Sequence, residues 1–232
     1  MSSQNPSLTV KLVLFDLDGT LVHSAPDLAH AANLMRREFG LVEQPHERVV
    51  GWIGNGMVRL VKRALTGEID GELSVDEFER GLASFRAHYA ANLTRHTKPY
   101  PGVIAALDAL AARGFMLGCA INKPEAFIRP LLEQLGMMKH FGVVVAGDTV
   151  AARKPDPLPL RHACERAAVA PAQTVLVGDS DNDVLGAQAA GMHSIAVTYG
   201  YNQGRDLREL QPDFVVDSVA EVPHYLRRYT IE

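Results

Sequence analysis

The chain has 232 residues, of which 47% are hydrophobic and 22% charged, and its formal net charge is −4. That composition is ordinary for a globular protein, and the length is enough to bury one large core carrying an insertion or two smaller cores. Lys and Arg are scattered along the chain, which argues against nucleic acid or an anionic membrane as a partner, and no run approaches the about 18 apolar residues of a membrane span. The polar stretch Met1–Thr9 lacks the charged start and apolar centre of a targeting signal, so a cytoplasmic protein is expected. Cys119 and Cys164 have no Cys-x-x-Cys or His-partner spacing, and Cys119 sits in an apolar run, which predicts a small buried side chain rather than a redox group.

The first predicted element is a strand. Leu12–Phe15 is a short apolar run that leads into Asp16, Leu17 and Asp18 and then a Gly19-Thr20 turn, the pattern of a strand buried on both faces. Ala25–Phe39 places Leu28, Ala31, Ala32, Met35 and Phe39 at helical spacing, with Pro26 in the first turn and Gly40 as the stop. Glu47–Leu65 keeps a helical period at Val50, Ile53, Met57, Leu60, Val61 and Leu65, but Gly51, Gly54 and Gly56 predict a break before Met57. Ser74-Val75-Asp76-Glu77 has the form of a capping box ahead of a helix carrying Phe78, Leu82, Phe85 and Tyr89 on one face. Residues 24–98 therefore read as helices without strands.

From Pro99 onward, helix and strand alternate. Helices are predicted over Pro101–Ala112, Pro124–Leu135, Pro157–Ala168 and Asn182–Ala190, and strands over Phe115–Ile121, Val143–Ala146, Thr174–Val177, Ser194–Val197 and Phe214–Val216, with a closing helix from Ser218. Such alternation predicts an α/β fold, a doubly wound parallel sheet with helices on both faces. Residues 1–23 and 99–232 would form this core, and the helical block 24–98, inserted after the first strand, a small cap domain.

Ligands of open parallel sheets bind beyond the carboxyl ends of the strands. Asp16 and Asp18 end the first strand, Ile121-Asn122-Lys123 the second, Gly147-Asp148 the third and Gly178-Asp179-Ser180 the fourth, while Lys154 follows the third. Two carboxylates at a buried strand end are costly unless a cation meets them. The pair reads either as an ordinary Asp-Gly turn beside a helix cap or as part of a Mg²⁺-dependent phosphoryl-transfer site. Gly178–Asp183 has the same two readings, a solvated loop with a helix cap or a source of metal ligands. The convergence of polar clusters on one sheet edge favours the site.

Asp16-Leu17-Asp18-Gly19-Thr20 also resembles the first motif of the haloacid dehalogenase superfamily phosphatases, and further motifs follow in that superfamily's order to about Pro223. Among these enzymes the chain is most similar to the bacterial phosphoglycolate phosphatases. The resemblance implies a HAD-like, Rossmannoid core with a helical cap that opens to admit substrate and closes to exclude water. It also implies Mg²⁺-dependent hydrolysis of a small phosphate monoester, 2-phosphoglycolate to glycolate and phosphate, through an aspartyl phosphate.

Under the resemblance Asp16 is the nucleophile and Asp18 the general acid and base, a second carboxylate that dehalogenase members lack. Mg²⁺ would be held by Asp16, the backbone carbonyl of Asp18 and Asp179, with Asp183 as an outer or water-mediated ligand. Lys154 would contact the phosphoryl oxygens and balance the nucleophile, aided by amides after Asp16 and a helix amino terminus near Thr20. Asn122 and Lys123 would also face the phosphate, though both read equally as the polar start of the next helix. Gly51–Gly56 with Arg59 resembles the substrate-specificity segment, so Gly54, Asn55 and Arg59 are candidate substrate contacts, Arg59 having the planar fork that suits a carboxylate. A packed loop before a helix explains the same glycines. Tyr199-Gly200-Tyr201-Asn202 matches the family too and takes no assigned chemistry.

One departure stands out. The family places a Thr or Ser at the end of the second strand to donate to a phosphoryl oxygen, and this chain has Ile121, whose side chain donates nothing. Losing one such donor costs a factor of about 10² to 10³. Three rivals follow from this and from the shared core motifs: another capped phosphatase or sugar-phosphate mutase, a phosphate-binding or regulatory protein with a weakened site, and a phospho-acceptor domain. The last has no use for Asp18 or a cap. The expected partner is a small phosphorylated metabolite, as a monomer or a small homo-oligomer.

Overall fold

The computed structural model describes residues 7–54 and 56–229. In chain order the elements are β1 (Leu8–Val10), β2 (Leu12–Phe15), β3 (Val22–His23), α1 (Ala25–Glu38), α2 (His46–Val50), α3 (Met57–Thr66), α4 (Val75–Ala91) and β4 (Lys98–Pro99). They continue with α5 (Val103–Ala112), β5 (Met116–Ala120), α6 (Glu125–Gln134), β6 (Val143–Val145), α7 (Leu158–Ala167), β7 (Thr174–Gly178), α8 (Asp181–Ala190), β8 (His193–Val197), β9 (Phe214–Val216) and β10 (Leu226–Arg228). The chain divides into two compact units, one made of the described residues up to Val22 together with those from Pro99 onward, the other of His23–Lys98.

The first unit is built on a six-stranded sheet in the order β6-β5-β2-β7-β8-β9, with every neighbouring pair parallel. Leu12, Val13, Leu14 and Phe15 are all fully buried, because β2 has a strand on each side and packed side chains on both faces. At about 1.5–3 kcal/mol for each large apolar side chain removed from water, this strand anchors the unit. On one face Leu12 and Leu14 join Val143, Val145, Leu160, Ala163, Leu176, Ala187 and Met192 in a single cluster. Gly118 of β5 is fixed by that packing, since a Cβ there would stand 2.9 Å from both Leu14 Cδ2 and the Val143 carbonyl oxygen. All parallel strands of the sheet end on one edge, and the loops that follow them carry the polar clusters seen in the sequence.

Two expectations change at the termini. Leu8 and Thr9, read as the end of a polar lead-in, form β1 together with Val10, and this strand pairs in parallel with β10, Leu8 opposite Leu226. The segment after Ser218 is a 3₁₀ helix over Val219–Tyr225 with Pro223 inside it, followed by β10, rather than a closing α-helix. Pro223 lacks the N–H that an α-helical ladder needs.

The His23–Lys98 unit is helical apart from its short strand ends. Leu28, Ala31, Ala32 and Met35 of α1 are buried with Leu60, Val61 and Ala64 of α3 and Leu82, Phe85 and Tyr89 of α4. The predicted break between two helices falls at Gly51–Gly56, where Gly54 and Gly56 take positive φ of 114° and 82°. Ser74 and Glu77 form the expected reciprocal cap at the start of α4. The buried carboxylate of Asp27 accepts hydrogen bonds from the His96 and Thr97 amides and the Thr97 hydroxyl. Among the described residues, no helix is long and apolar enough to cross a membrane.

Candidate active site

The ladder that buries β2 also aims its last residues. The Asp16 amide donates to the Val177 carbonyl of β7, so the backbone of Asp16 is held at the sheet edge while its side chain leaves the core. Beyond it the chain makes a tight turn in which the Leu21 and Val22 amides return to the Leu17 carbonyl and Gly19, at φ 94°, donates to the Val22 carbonyl. This corrects the expectation of a helix amino terminus at Thr20: the first helix begins at Ala25. The turn leaves the Leu17 and Asp18 amides without a partner among the described residues, two donors side by side beyond Asp16.

Lys154 is the centre of charge. Its Nζ donates to Asp16 Oδ1 at 2.8 Å and to Asp183 Oδ1 at 2.6 Å, and its side chain is 2% exposed. Burial works against its charge, but Asp16 and Asp183 outweigh that and hold its pKa above the ordinary lysine value. Asp183 Oδ2 accepts from the Ser180 amide and hydroxyl at 3.1 and 2.6 Å. So Asp183 is both a helix cap and a member of the charged cluster, and the two sequence readings of Gly178–Asp183 describe one arrangement.

Asp179 faces the same space. Its Oδ1 accepts from the Thr20 hydroxyl at 2.8 Å and its Oδ2 from the Tyr201 amide at 2.6 Å. One oxygen from each of Asp16, Asp179 and Asp183 lies within 4.8 Å of the others. Burial, then the neighbouring carboxylates, raise Asp16 to about 7, against the pull of Lys154. Asp179 is likewise pushed well above the ordinary carboxylate range by burial and by Asp16 and Asp183. Three acids around one lysine are thus short of positive charge, and oxygen-only donors suit a hard divalent cation. The residues fit a metal: Asp16, Asp179 and Asp183 are those that could hold it.

Lys123 serves the other carboxylate, its Nζ lying 2.7 and 2.9 Å from the two oxygens of Asp18. The side chain of Asn122 is spent on the backbone of Lys154, Nδ2 donating to the Lys154 carbonyl at 2.9 Å and Oδ1 accepting from the Lys154 amide at 3.0 Å, which leaves its main-chain amide to face the phosphate. Thr20 differs from expectation for a similar reason, since its single hydroxyl proton is committed to Asp179 and its side chain is fully buried. Ile121 is buried and its amide donates to the Val145 carbonyl, so at this corner only the Asn122 amide is left without a partner among the described residues. Asp148 stands apart, exposed and accepting from the Glu125 amide at the start of α6.

In the helical unit, Arg59 is exposed on α3 and its side chain makes no hydrogen bond or ion pair among the described residues. Gly54 is half-buried, and Asn55 lies outside the described residues. Sequence reasoning missed Tyr199–Tyr201, whose amide and glycine touch Asp179; the available signal was its position just past β8, on the edge where the other clusters lie.

The model of the haloacid dehalogenase-like hydrolases matches residues 13–197, which span both acidic strand ends and Lys154. The chain belongs to the haloacid dehalogenase-like hydrolases. Among relatives of this hydrolase, the phosphoglycolate phosphatase of Nitrosospira multiformis is 47% identical over 95% of this chain and 97% of the relative. That of Thiobacillus denitrificans is 49% identical over 92% and 94%. A crystal structure of a predicted phosphoglycolate phosphatase from Haemophilus somnus superposes with a TM-score of 0.86 at 35% identity, covering 92% of this chain and 96% of that one.

Proposed function

We propose that this chain is a cytoplasmic, Mg²⁺-dependent phosphatase that hydrolyses a small phosphate monoester, 2-phosphoglycolate above others, to the alcohol and inorganic phosphate. The observation that carries the reading is the buried Lys154 bridge between Asp16 and Asp183, with Asp179 beside it and Asp18 held by Lys123 two residues on. The substrate assignment is supported by the relatives, two of them phosphoglycolate phosphatases matched over more than nine-tenths of the chain.

In this reading a carboxylate oxygen of Asp16 attacks phosphorus in line with the ester oxygen, and the P–O(ester) bond breaks as the aspartyl phosphate forms. Asp18 gives its proton to the departing oxygen, and then takes one from the water that displaces Asp16 from phosphorus. Lys154 and the Leu17, Asp18 and Asn122 amides meet the charge on the phosphoryl oxygens. Mg²⁺ held by Asp16, Asp179 and the Asp18 carbonyl, with Asp183 in its outer shell, would supply the remaining positive charge. Lys123 keeps the Asp18 carboxylate turned toward the ester, and Asn122 keeps the Lys154 loop at the right height. Arg59, with Gly54 and Asn55, receives the substrate's own carboxylate.

The test is phosphate release from 2-phosphoglycolate and a panel of other small esters, with and without Mg²⁺. We expect metal-dependent release that is fastest with 2-phosphoglycolate and falls by roughly 10³ or more in Asp16→Asn, the scale of losing a nucleophile. Ile121 favours a second reading, a phosphate-binding or regulatory protein, because the family's hydroxyl donor is replaced by a buried hydrocarbon. The same assay on Ile121→Thr separates them: a gain of up to about 10²-fold marks a weakened phosphatase, whereas silence in both chains marks the binder.

A further inference from the structure

The Tyr199-Gly200-Tyr201 turn after β8 has no part in the chemistry described so far, yet it closes on Asp179 from one side while Gly19-Thr20 closes from the other. We propose that these two turns form a rigid socket whose function is to fix Asp179 for its cation, with Tyr199, Gly200 and Tyr201 as positioning residues. The inference deepens the proposed function and rests on it.

Four observations within the sheet unit converge on this socket. A Cβ on Gly200 would lie 2.3 Å from Asp179 Oδ2, and one on Gly19 would lie 2.4 Å from the same oxygen. Both glycines have positive φ, 105° and 94°, where an L side chain is already strained. The carboxylate is thus clasped between two backbones that no other residue type lets come so close. Each oxygen then receives one donor, Thr20 Oγ1 on Oδ1 and the Tyr201 amide on Oδ2, which fixes the plane of the carboxylate and leaves lone pairs on both for a cation.

The tyrosines brace the two turns against each other. Tyr199 Oη donates to the Thr20 carbonyl at 2.9 Å, so it holds by the main chain the same residue whose hydroxyl holds Asp179. The Tyr199 ring packs on Tyr100 with centroids 4.5 Å apart, and Tyr100 shares a side-chain hydrogen bond with Tyr201. The brace therefore runs from Tyr100 through both tyrosines of the turn to Thr20, and every branch ends on Asp179. Outer contacts of this kind set how well a metal ligand is aimed and commonly change metal affinity 10- to 100-fold when lost.

The experiment is calorimetric titration of Mg²⁺ into the 232-residue chain, Gly200→Ala and Tyr199→Phe, alongside metal-free thermal midpoints and the KM for 2-phosphoglycolate at saturating Mg²⁺. Gly200→Ala is expected to weaken Mg²⁺ binding about 10- to 100-fold, and Tyr199→Phe, which removes one hydroxyl, about 3- to 10-fold. KM should stay within about twofold in Tyr199→Phe, since the residue reaches the substrate only through Asp179. A Tyr199→Phe chain that binds Mg²⁺ as tightly as the parent overturns the inference, whether or not Gly200→Ala folds. If the parent hydrolyses phosphoglycolate while the variants keep its metal affinity, only the socket fails; if the parent binds no Mg²⁺, the proposed function fails with it.

Discussion

The acidic edge of the sheet and the Gly51–Arg59 segment of the helical unit are built on opposite plans. At the sheet edge Lys154 is 4% exposed and Asp179 and Asp183 are 2% exposed, and their polar atoms are tied to Ser180, Thr20, Tyr201 and one another. Along the Gly51–Arg59 segment the backbone turns on glycines at positive φ and Arg59 is exposed with no ion pair among the described residues. Groups that stabilise a transition state must be aimed before the substrate arrives, because reorganising them during the reaction wastes their effect. A group that only selects the substrate has no such requirement, so it can be left mobile and settle on its ligand. The contrast teaches where variation is tolerated by the fold: cheaply at the exposed Arg59, at high cost on the edge.

The largest expected effect tests the fixed half. Lys154→Met removes the cation buried between Asp16 and Asp183 and leaves their charges unmet. Breaking a buried pair in this way costs about 3–5 kcal/mol, and turnover should fall by at least roughly 10³. Denaturant unfolding of the metal-free chain and steady-state kinetics read the two losses. Near-normal stability in this variant would mean that the edge is less tightly braced than its geometry indicates.

A smaller effect tests the helical unit. Arg59→Ala should leave the unfolding midpoint unchanged, since nothing folded depends on that side chain, while KM for 2-phosphoglycolate rises. A charge-assisted hydrogen bond is worth about 1.5–3 kcal/mol, or roughly 10- to 100-fold in KM, with kcat little altered. An ester lacking the carboxylate should show no change. An equal loss on both substrates would place Arg59 among the groups that aim the chemistry and erase the contrast.

The strands of the sheet were legible because burial on both faces writes a continuous apolar run, as at Leu12–Phe15, Val143–Val145 and Thr174–Gly178. β1 and β10 were not, since three-residue segments are too short to carry a period, and β10 ends in two exposed arginines besides. At the site, Asp16 and Asp179 could be named from strand ends and Asp183 from the family resemblance, and the fold brings one oxygen of each within 4.8 Å of the others. What stayed hidden is which partner each polar group meets. Asn122 finds the Lys154 backbone 32 residues away and Tyr199 finds Thr20 across 179, distances over which local pattern carries no information. The side chains of Thr20 and Asn122 consequently read as phosphate contacts, when their hydrogen-bonding atoms are engaged in holding Asp179 and Lys154.

The smallest effect separates charge from shape within the fixed half. Burial first, and then Asp183 and Asp18, raise Asp16 to about 7 despite Lys154. A raised folded pKa means that the metal-free fold favours the protonated acid, so the stability linked to this group is full below the unfolded value near 3.8 and is lost as pH climbs through 7. Asp16→Asn, which mimics the neutral acid, should therefore stabilise the metal-free chain more at pH 8 than at pH 5. A cation that binds Asp16 must displace that proton, and for one proton with a pKa near 7 the apparent Mg²⁺ affinity should rise about tenfold between pH 6 and pH 8. Calorimetry in buffers of different ionisation enthalpy counts the released proton directly. An affinity that stays flat over this range would show that Asp16 is already ionised in the metal-free chain, with Lys154 supplying enough charge by itself; the acidic edge would then be held by geometry rather than by a deficit of cation.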